Sequence, residues 1–202
     1  MGTIGTMNRD VPQWHMTQDR YTGTALTLHW LAALLIFCGA GLGLFMTGLE
    51  FSPAKFRYYA WHKWLGITVF LLAALRLSWR AAHPPPPPPL LMPAWQVRAS
   101  RIAHGTLYVL MLAIPLSGWI YSSATGVSVV YLGLVPLPDL VPKDREYARM
   151  LLIVHKTLNY TLAAVVLAHV VAALKHHCVD RDDVLARMLP RALTSHNDSN
   201  NQ

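Results

Sequence analysis

The chain has 202 residues, of which 53% are hydrophobic and only 13% are charged. That charged share is about half of what soluble domains carry, so the composition argues against a soluble protein and predicts one compact membrane domain. The net charge of +7 does not indicate nucleic-acid binding, because no basic run is interleaved with aromatic residues in a polar segment; basic residues that flank apolar spans and meet a lipid bilayer explain it better.

Four apolar spans are predicted to cross the bilayer. The N-terminal segment, residues 1–24, is polar, lacks the apolar core of a signal peptide and is expected to be cytoplasmic. The spans follow at residues 25–49, 59–81, 102–122 and 150–174, each about 20 residues or longer, which is enough for a hydrocarbon core of about 30 Å. Because backbone groups in lipid need partners within their own segment, the spans predict an all-α fold, an up-down-up-down four-helix bundle.

Prolines and polar residues separate the spans. Pro53 follows the first span, six consecutive prolines at 84–89 form a stiff connector after the second, and residues 126–143 are expected to cap the bundle. One transmembrane domain is therefore predicted over residues 25–194, followed by a disordered polar tail at 195–202. Lys and Arg are more numerous on the side of the termini, which favours cytoplasmic termini for this multi-pass protein.

Five histidines fall within or at the ends of the spans: His29, His62, His104, His155 and His169. Ionisable side chains are costly in lipid, so their presence there predicts function. His155 and His169 lie on one face of the fourth helix, about 21 Å apart along its axis. One helix therefore presents an imidazole near each side of the membrane, which suits two separate cofactors rather than one metal ion.

The direction of each helix predicts the partners of these two histidines. His29 lies near the start of the first helix, on the inner side where His169 lies near the end of the fourth. His62 lies near the start of the second helix, on the outer side where the fourth presents His155. The predicted pairs are His29–His169 and His62–His155, but His104, at the start of the third helix, has the inner depth as well and competes with His29.

Two facing imidazoles indicate b-type haem. An iron porphyrin brings four equatorial nitrogens of its own, whereas zinc usually takes three or four protein ligands. The absence of a CxxCH motif excludes covalent attachment of the haem. A 14-residue step from His62 reaches Arg76, which would neutralise inner haem propionates or else snorkel to the interface. The same step from the histidines of the first and third helices reaches Gly43 and Gly118, which would let a macrocycle approach or would serve ordinary helix packing.

Several short motifs carry a family resemblance. They are Leu28-His29-Trp30-Leu31, Trp61-His62-Lys63-Trp64-Leu65-Gly66, Ala103-His104-Gly105, Ile114-Pro115-Leu116-Ser117-Gly118, His155-Lys156-Thr157-Leu158, Ala168-His169-Val170-Val171-Ala172-Ala173-Leu174-Lys175-His176-His177 and Arg187-Met188-Leu189-Pro190-Arg191. In this order, and with these histidine spacings, residues 21–191 resemble the prokaryotic di-haem cytochrome b561 family, whose characterised bacterial member is a superoxide oxidase.

The resemblance implies a cofactor set, a reaction and a place in the cell. It implies His29, His62, His155 and His169 as axial ligands, which decides the inner competition against His104. It implies a protein of the bacterial inner membrane that passes electrons from superoxide, or another small donor, to ubiquinone. The quinone site would lie near the inner haem, by the proline connector and the end of the fourth helix, where His176 and His104 become candidates to line it or to relay protons.

Two other functions compete with this one. A cytochrome b subunit that links quinone to a periplasmic redox partner would share the haems, but the short outer loops offer it a small docking surface. A metal transporter would share the histidines, but the two ligand levels leave a wide gap and no acidic residue lies in the middle of a span.

Overall fold

The computed structural model describes residues 20–89 and 92–189 of the chain. Its main elements are the helices α1 (Gly23–Thr47), α2 (Pro53–Ala82), α3 (Ala94–Thr125) and α4 (Arg145–Lys175) and two short strands, β1 (Val130–Tyr131) and β2 (Val135–Pro136). The predicted tail at 195–202 and residues 1–19 of the predicted N-terminal segment lie outside the described residues. The all-α four-helix prediction is confirmed, with one small antiparallel hairpin added between α3 and α4.

Side chains at the helix ends define where the helices begin. The Thr22 hydroxyl accepts a hydrogen bond from the Ala25 amide, and Ser52 caps α2 with Pro53 directly behind it, where a missing amide proton costs nothing. The Asp144 carboxylate accepts from two amides at the start of α4. These caps satisfy the first amides of α1, α2 and α4, whereas α3 begins behind Pro93 without a side-chain cap.

The packing of the bundle is that of a membrane protein. Helices adjacent in sequence pack directly on each other, whereas α1 and α4 approach each other less closely than these pairs do. The buried core is small, and large apolar side chains such as Leu34, Phe37 and Leu167 are exposed on the outside of the helices. All four helices are long and apolar enough to cross a membrane. The chain is therefore a multi-pass membrane protein, with an apolar surface that suits lipid.

The two ends of the bundle differ in what covers them. At the hairpin end, where α2 begins, the β1–β2 hairpin binds α2: the Trp64 indole donates to the Val130 carbonyl (2.6 Å), and the hydroxyls of Thr68 and Tyr131 share a hydrogen bond (3.0 Å). At the terminal end, where α1 begins and α4 ends, α4 passes through a π-helical turn (His176–Asp180) into residues 181–189, which we call the C-terminal strap.

The C-terminal strap crosses the terminal end and joins three parts of the chain. Arg20 donates to the Ala186 carbonyl (2.8 Å) and the Trp30 indole to the Met188 carbonyl (2.9 Å), which ties the strap to α1. Arg187 donates to the Pro87 carbonyl (2.8 Å), which ties it to the proline connector. The connector and the end of α4 thus meet beneath the bundle.

Candidate functional site

Two histidines face each other at the hairpin end. The ring centroids of His62, on α2, and His155, on α4, are 6.2 Å apart and the ring planes cross at 84°. A first-row metal holds an imidazole nitrogen at about 2.0 Å, which places the centroids of two opposed ligand rings roughly 6.3 Å apart. The observed spacing therefore fits an iron between the two rings.

Hydrogen bonds define which nitrogen each ring presents to the gap. His62 Nδ1 lies 3.0 Å from the Gly39 carbonyl oxygen, which only accepts, so Nδ1 carries the proton. His155 Nδ1 lies 2.9 Å from Ser117 Oγ and 3.1 Å from the Ile114 carbonyl oxygen. Since the Ser117 hydroxyl already donates to Ile114, it accepts from His155. Both rings thus keep Nε2 unprotonated, as metal-binding histidines do.

Two glycines and a cavity complete the hairpin-end pair. A Cβ added at Gly43 would lie 3.1 Å from Cε1 of His62, and one added at Gly118 would lie 3.1 Å from Cε1 of His155. Side chains of all four helices line a partly open cavity beside the rings. The residues at this level therefore fit a haem in ring spacing and in donor atoms, and the two glycines leave its ligand rings free of side-chain contact from α1 and α3 at these positions.

Three histidines meet at the terminal end. The ring centroids of His29 and His169 are 6.4 Å apart with the planes at 58°, again the spacing of two ligands of one iron. The ring centroid of His104 is 5.2 Å from that of His169, too close for a metal between these two rings, and His104 Nδ1 contacts Ser100 Oγ (3.3 Å). His29 Nδ1 is buried without a hydrogen-bond partner among the described residues. The geometry favours His29 over His104 as the partner of His169.

A half-buried cation accompanies the terminal-end histidines. The Arg76 guanidinium lies over the Tyr108 ring, 5.3 Å from its centroid. It also interacts electrostatically with His29 and His169. The Arg76 side chain is therefore close to the terminal-end histidines.

Paired histidines at two levels of a four-helix membrane bundle have a counterpart among known protein families. Residues 20–191 match the family model of prokaryotic cytochrome b561. The chain belongs to this family. It is therefore a membrane electron-transfer protein, and its family implies b-type haem.

Curated relatives of the cytochrome b561 family match nearly the whole chain. Cytochrome b561 homolog 2 of Escherichia coli K12 is 31% identical over 87% of this chain and 94% of its own length. Cytochrome b561 homolog 1 of the same organism is 32% identical over 86% and 98%. A Yersinia pestis protein named "Probable superoxide oxidase CybB" is 28% identical over 85% and 97%. The chain thus resembles whole members of the cytochrome b561 family.

His176 lies apart from both histidine levels. It follows His169 by seven residues, so it continues the same face of α4 toward the terminal end. Its Nδ1 binds the Asp182 carboxylate (2.6 Å) and lies 3.3 Å from Asp180, which Lys175 also binds. The structure does not bring His176 to His104; it places His176 in a polar cluster beside the C-terminal strap.

Sequence reasoning missed the groups that form hydrogen bonds with the histidines. The Gly39 and Ile114 carbonyls carry no residue-specific signal, since every residue has one. Ser117 had a weak signal, because it lies within a motif of the cytochrome b561 family. Asp182 had one as well, six residues after His176, but only the turn at the end of α4 brings the carboxylate back to the ring.

Proposed function

We propose that this cytochrome b561 oxidises superoxide on the periplasmic side of the inner membrane and reduces ubiquinone, with two b haems as its cofactors. The observation that carries the proposal is the pair of histidine levels, with ring centroids 6.2 and 6.4 Å apart at opposite ends of one bundle. The similarity to a protein named as a superoxide oxidase supports the donor. The terminal end is cytoplasmic in this proposal and the hairpin end periplasmic.

Four histidines hold the haems in this proposal. His62 and His155 bind one haem at the hairpin end, and His29 and His169 bind the other at the terminal end. Bound haem supplies a one-electron Fe(III)/Fe(II) couple. With two imidazoles at each level, the chain would leave no coordination position for dioxygen, which suits electron transfer without bond formation.

The overall reaction balances two donors against one acceptor. Two superoxide anions give up one electron each and leave as two dioxygen molecules. One ubiquinone takes up the two electrons and two protons and leaves as ubiquinol. The chain has to admit a small anion at the hairpin end and to deliver protons at the terminal end.

Cations at the hairpin end would attract the anion. They are Lys55, Arg57, Lys63, Arg149 and Lys156. Three of them are engaged: Lys55 and Lys63 donate to the Leu49 and Val127 carbonyls, and Arg149 pairs with Glu146. A positive surface raises the arrival rate of a small anion without binding it tightly, so these residues contribute to rate more than to affinity.

The terminal end offers a place for the quinone head group. The proline connector and the C-terminal strap meet there through Arg187 and Pro87, and the His176–Asp182 pair lies beside them. A carboxylate at Nδ1 fixes the ring so that Nε2 exchanges protons, the arrangement of many general acids and bases. We propose His176 as the group that hands protons from the cytoplasm to the reduced quinone.

Rapid mixing tests the reaction. Purified protein without bound quinone, mixed with potassium superoxide, is expected to show the absorbance of reduced b haem, and superoxide dismutase added beforehand should abolish it. Added ubiquinone should then reoxidise the haem. Protein that contains haem but stays oxidised in superoxide would contradict the proposed donor.

Alanine substitutions test the terminal-end ligands. His29→Ala should lower the haem content from two per chain toward one, because it removes one of the two imidazoles that would hold the terminal-end haem. His104→Ala is the matched control and should retain two. Loss of haem in His104→Ala, with full haem content in His29→Ala, would reverse the assignment. A pyridine haemochrome assay against protein concentration measures both.

A further inference from the structure

We propose that Gly39, Ser117 and Arg76 set the order of the two haem potentials, so that the hairpin-end haem has the lower potential and the terminal-end haem the higher. This inference rests on the proposed two-haem function. It goes beyond that function because it assigns the direction of electron flow to particular groups of the protein.

The hairpin-end histidines are made electron-rich by their hydrogen bonds. His62 Nδ1–H donates to the Gly39 carbonyl (3.0 Å), and His155 Nδ1–H donates to Ser117 Oγ (2.9 Å) with the Ile114 carbonyl close by (3.1 Å). A donated Nδ1–H makes the opposite nitrogen a more basic ligand. A more basic ligand favours Fe(III) over Fe(II), so both axial ligands at this level lower the potential.

His29, at the terminal end, lacks such a hydrogen bond. Its Nδ1 is buried and has no acceptor among the described residues. Without an acceptor at Nδ1, its ring is a less basic ligand than the rings of His62 and His155. This difference raises the terminal-end potential relative to the hairpin-end one.

Arg76 acts in the same direction. Its guanidinium interacts with both His29 and His169 and is half-buried against the Tyr108 ring. A positive charge favours the reduced haem, which carries one positive charge less than the oxidised haem. The proximity of Arg76 to these two ligands therefore raises the terminal-end potential.

Cations at the hairpin end oppose this order but weakly. Lys156 is exposed to solvent, where its charge interacts about four times more weakly than at the effective dielectric constant near a protein surface and is screened by salt. Lys63 is half-buried, but its ammonium is bound to the Val127 carbonyl and its charge is partly offset by the Asp139 carboxylate. The contacts at the rings and the half-buried Arg76 therefore dominate. The electron then moves downhill from the hairpin end to the terminal end, the direction that quinone reduction requires.

A potentiometric titration of the purified holoprotein, followed by visible spectra, tests the order. Ser117→Ala should raise the lower of the two potentials, increasing the ratio of reduced to oxidised haem at fixed applied potential about threefold to tenfold, where tenfold is about 59 mV for one electron. Arg76→Gln should lower the higher potential, and Arg76→Lys, which keeps the charge, should restore most of it. Ser78→Ala is the control for Ser117, because the exposed Ser78 hydroxyl bonds only within its own helix.

Electron paramagnetic resonance of the unmodified protein gives an independent assignment. The nearly perpendicular ring planes of His62 and His155 (84°) should produce the more anisotropic low-spin ferric signal, compared with 58° at the other level. That signal should persist to the lower potential. The proposal is overturned if it disappears first on reduction, or if Ser117→Ala shifts the higher component or neither component. Superoxide takes no part in the titration, so a wrong electron donor would leave this result standing.

Discussion

Gly43 and Gly118 lie where the backbone passes closest to the hairpin-end imidazoles. A methyl group at either position would stand 3.1 Å from Cε1 of a histidine ring, tighter than ordinary contact. The hydrogen bonds from Nδ1 leave these rings little room to retreat. We therefore expect Gly118→Ala to displace His155 and to lower the haem content to about one per chain.

The matched control lies on α1. Gly41 has nothing within 4 Å of an added Cβ, so Gly41→Ala should retain both haems and gain about 1 kcal/mol of helix propensity. Haem content by pyridine haemochrome assay, with thermal unfolding as a check on folding, distinguishes the two. Full haem content in Gly118→Ala would contradict the close fit.

The depth of each histidine could be predicted from the sequence, whereas the hydrogen-bond partners of its Nδ1 could not. Helix rise and direction alone place His155 and His169 at two levels, and the described structure brings His62 and His29 to them. Which carbonyl meets Nδ1 depends on how α1 and α3 are rotated about their axes, and no sequence period determines that rotation. Ser117 becomes a hydrogen-bond partner only through this rotation.

The C-terminal strap is an element held mainly by contacts to backbone carbonyls. The Trp30 indole N–H reaches the Met188 carbonyl (2.9 Å), beside the Arg20 contact to Ala186 (2.8 Å). Loss of one such hydrogen bond costs about 1 kcal/mol, roughly a fivefold shift in a local opening equilibrium. Trp30→Phe should therefore increase amide hydrogen exchange in residues 181–189 by about that factor.

The control for this prediction is another tryptophan at the same end of the bundle. Trp95 is 66% exposed and makes no hydrogen bond to the described residues, so Trp95→Phe should leave exchange in the C-terminal strap unchanged. Equal exchange in Trp30→Phe and in the unmodified protein would show that the other contacts hold the strap without the indole.

Segments too short to show a repeating hydrophobic pattern were the hardest to predict from the sequence. Residues 126–143 were expected to cap the bundle, and the structure gives them a hairpin with strands of two residues each, too short for an alternating pattern. Its turn places Leu132 and Gly133 at positive φ, 55° and 73°. Leucine seldom adopts that conformation, so the local sequence does not indicate the turn. The contacts of Trp64 and Thr68 determine it instead.

At the scale of the whole molecule, the arrangement of the helices brings one pair of histidines together near each end of the bundle. Each histidine pair joins α4 to a helix that is not its neighbour in sequence: His155 faces His62 on α2, and His169 faces His29 on α1. Helices adjacent in sequence already pack on each other, whereas α1 and α4 approach less closely. A haem at each level would bind together helices that the polypeptide alone holds loosely, so cofactor binding and completion of the fold are coupled.

The orientation of the bundle follows from the proposed reaction and is open to a direct test with the two native cysteines. Cys178 is exposed in the turn at the terminal end, whereas Cys38 lies on the outer face of α1 within its apolar span. A charged maleimide reacts with the thiolate, which forms at a water-exposed position and not in hydrocarbon. Cys178 should therefore be the reactive cysteine of the described chain.

Cytoplasmic termini predict labelling of Cys178 in inverted membrane vesicles and protection in right-side-out vesicles, measured by the mass shift of the purified protein. Cys178→Ser should abolish the labelling in both preparations, and detergent should expose Cys178 in both for the unmodified protein. Labelling in right-side-out vesicles would place the His176–Asp182 pair in the periplasm. The cations of the hairpin end would then face the cytoplasm, and electrons could not pass from periplasmic superoxide to a quinone site supplied with cytoplasmic protons.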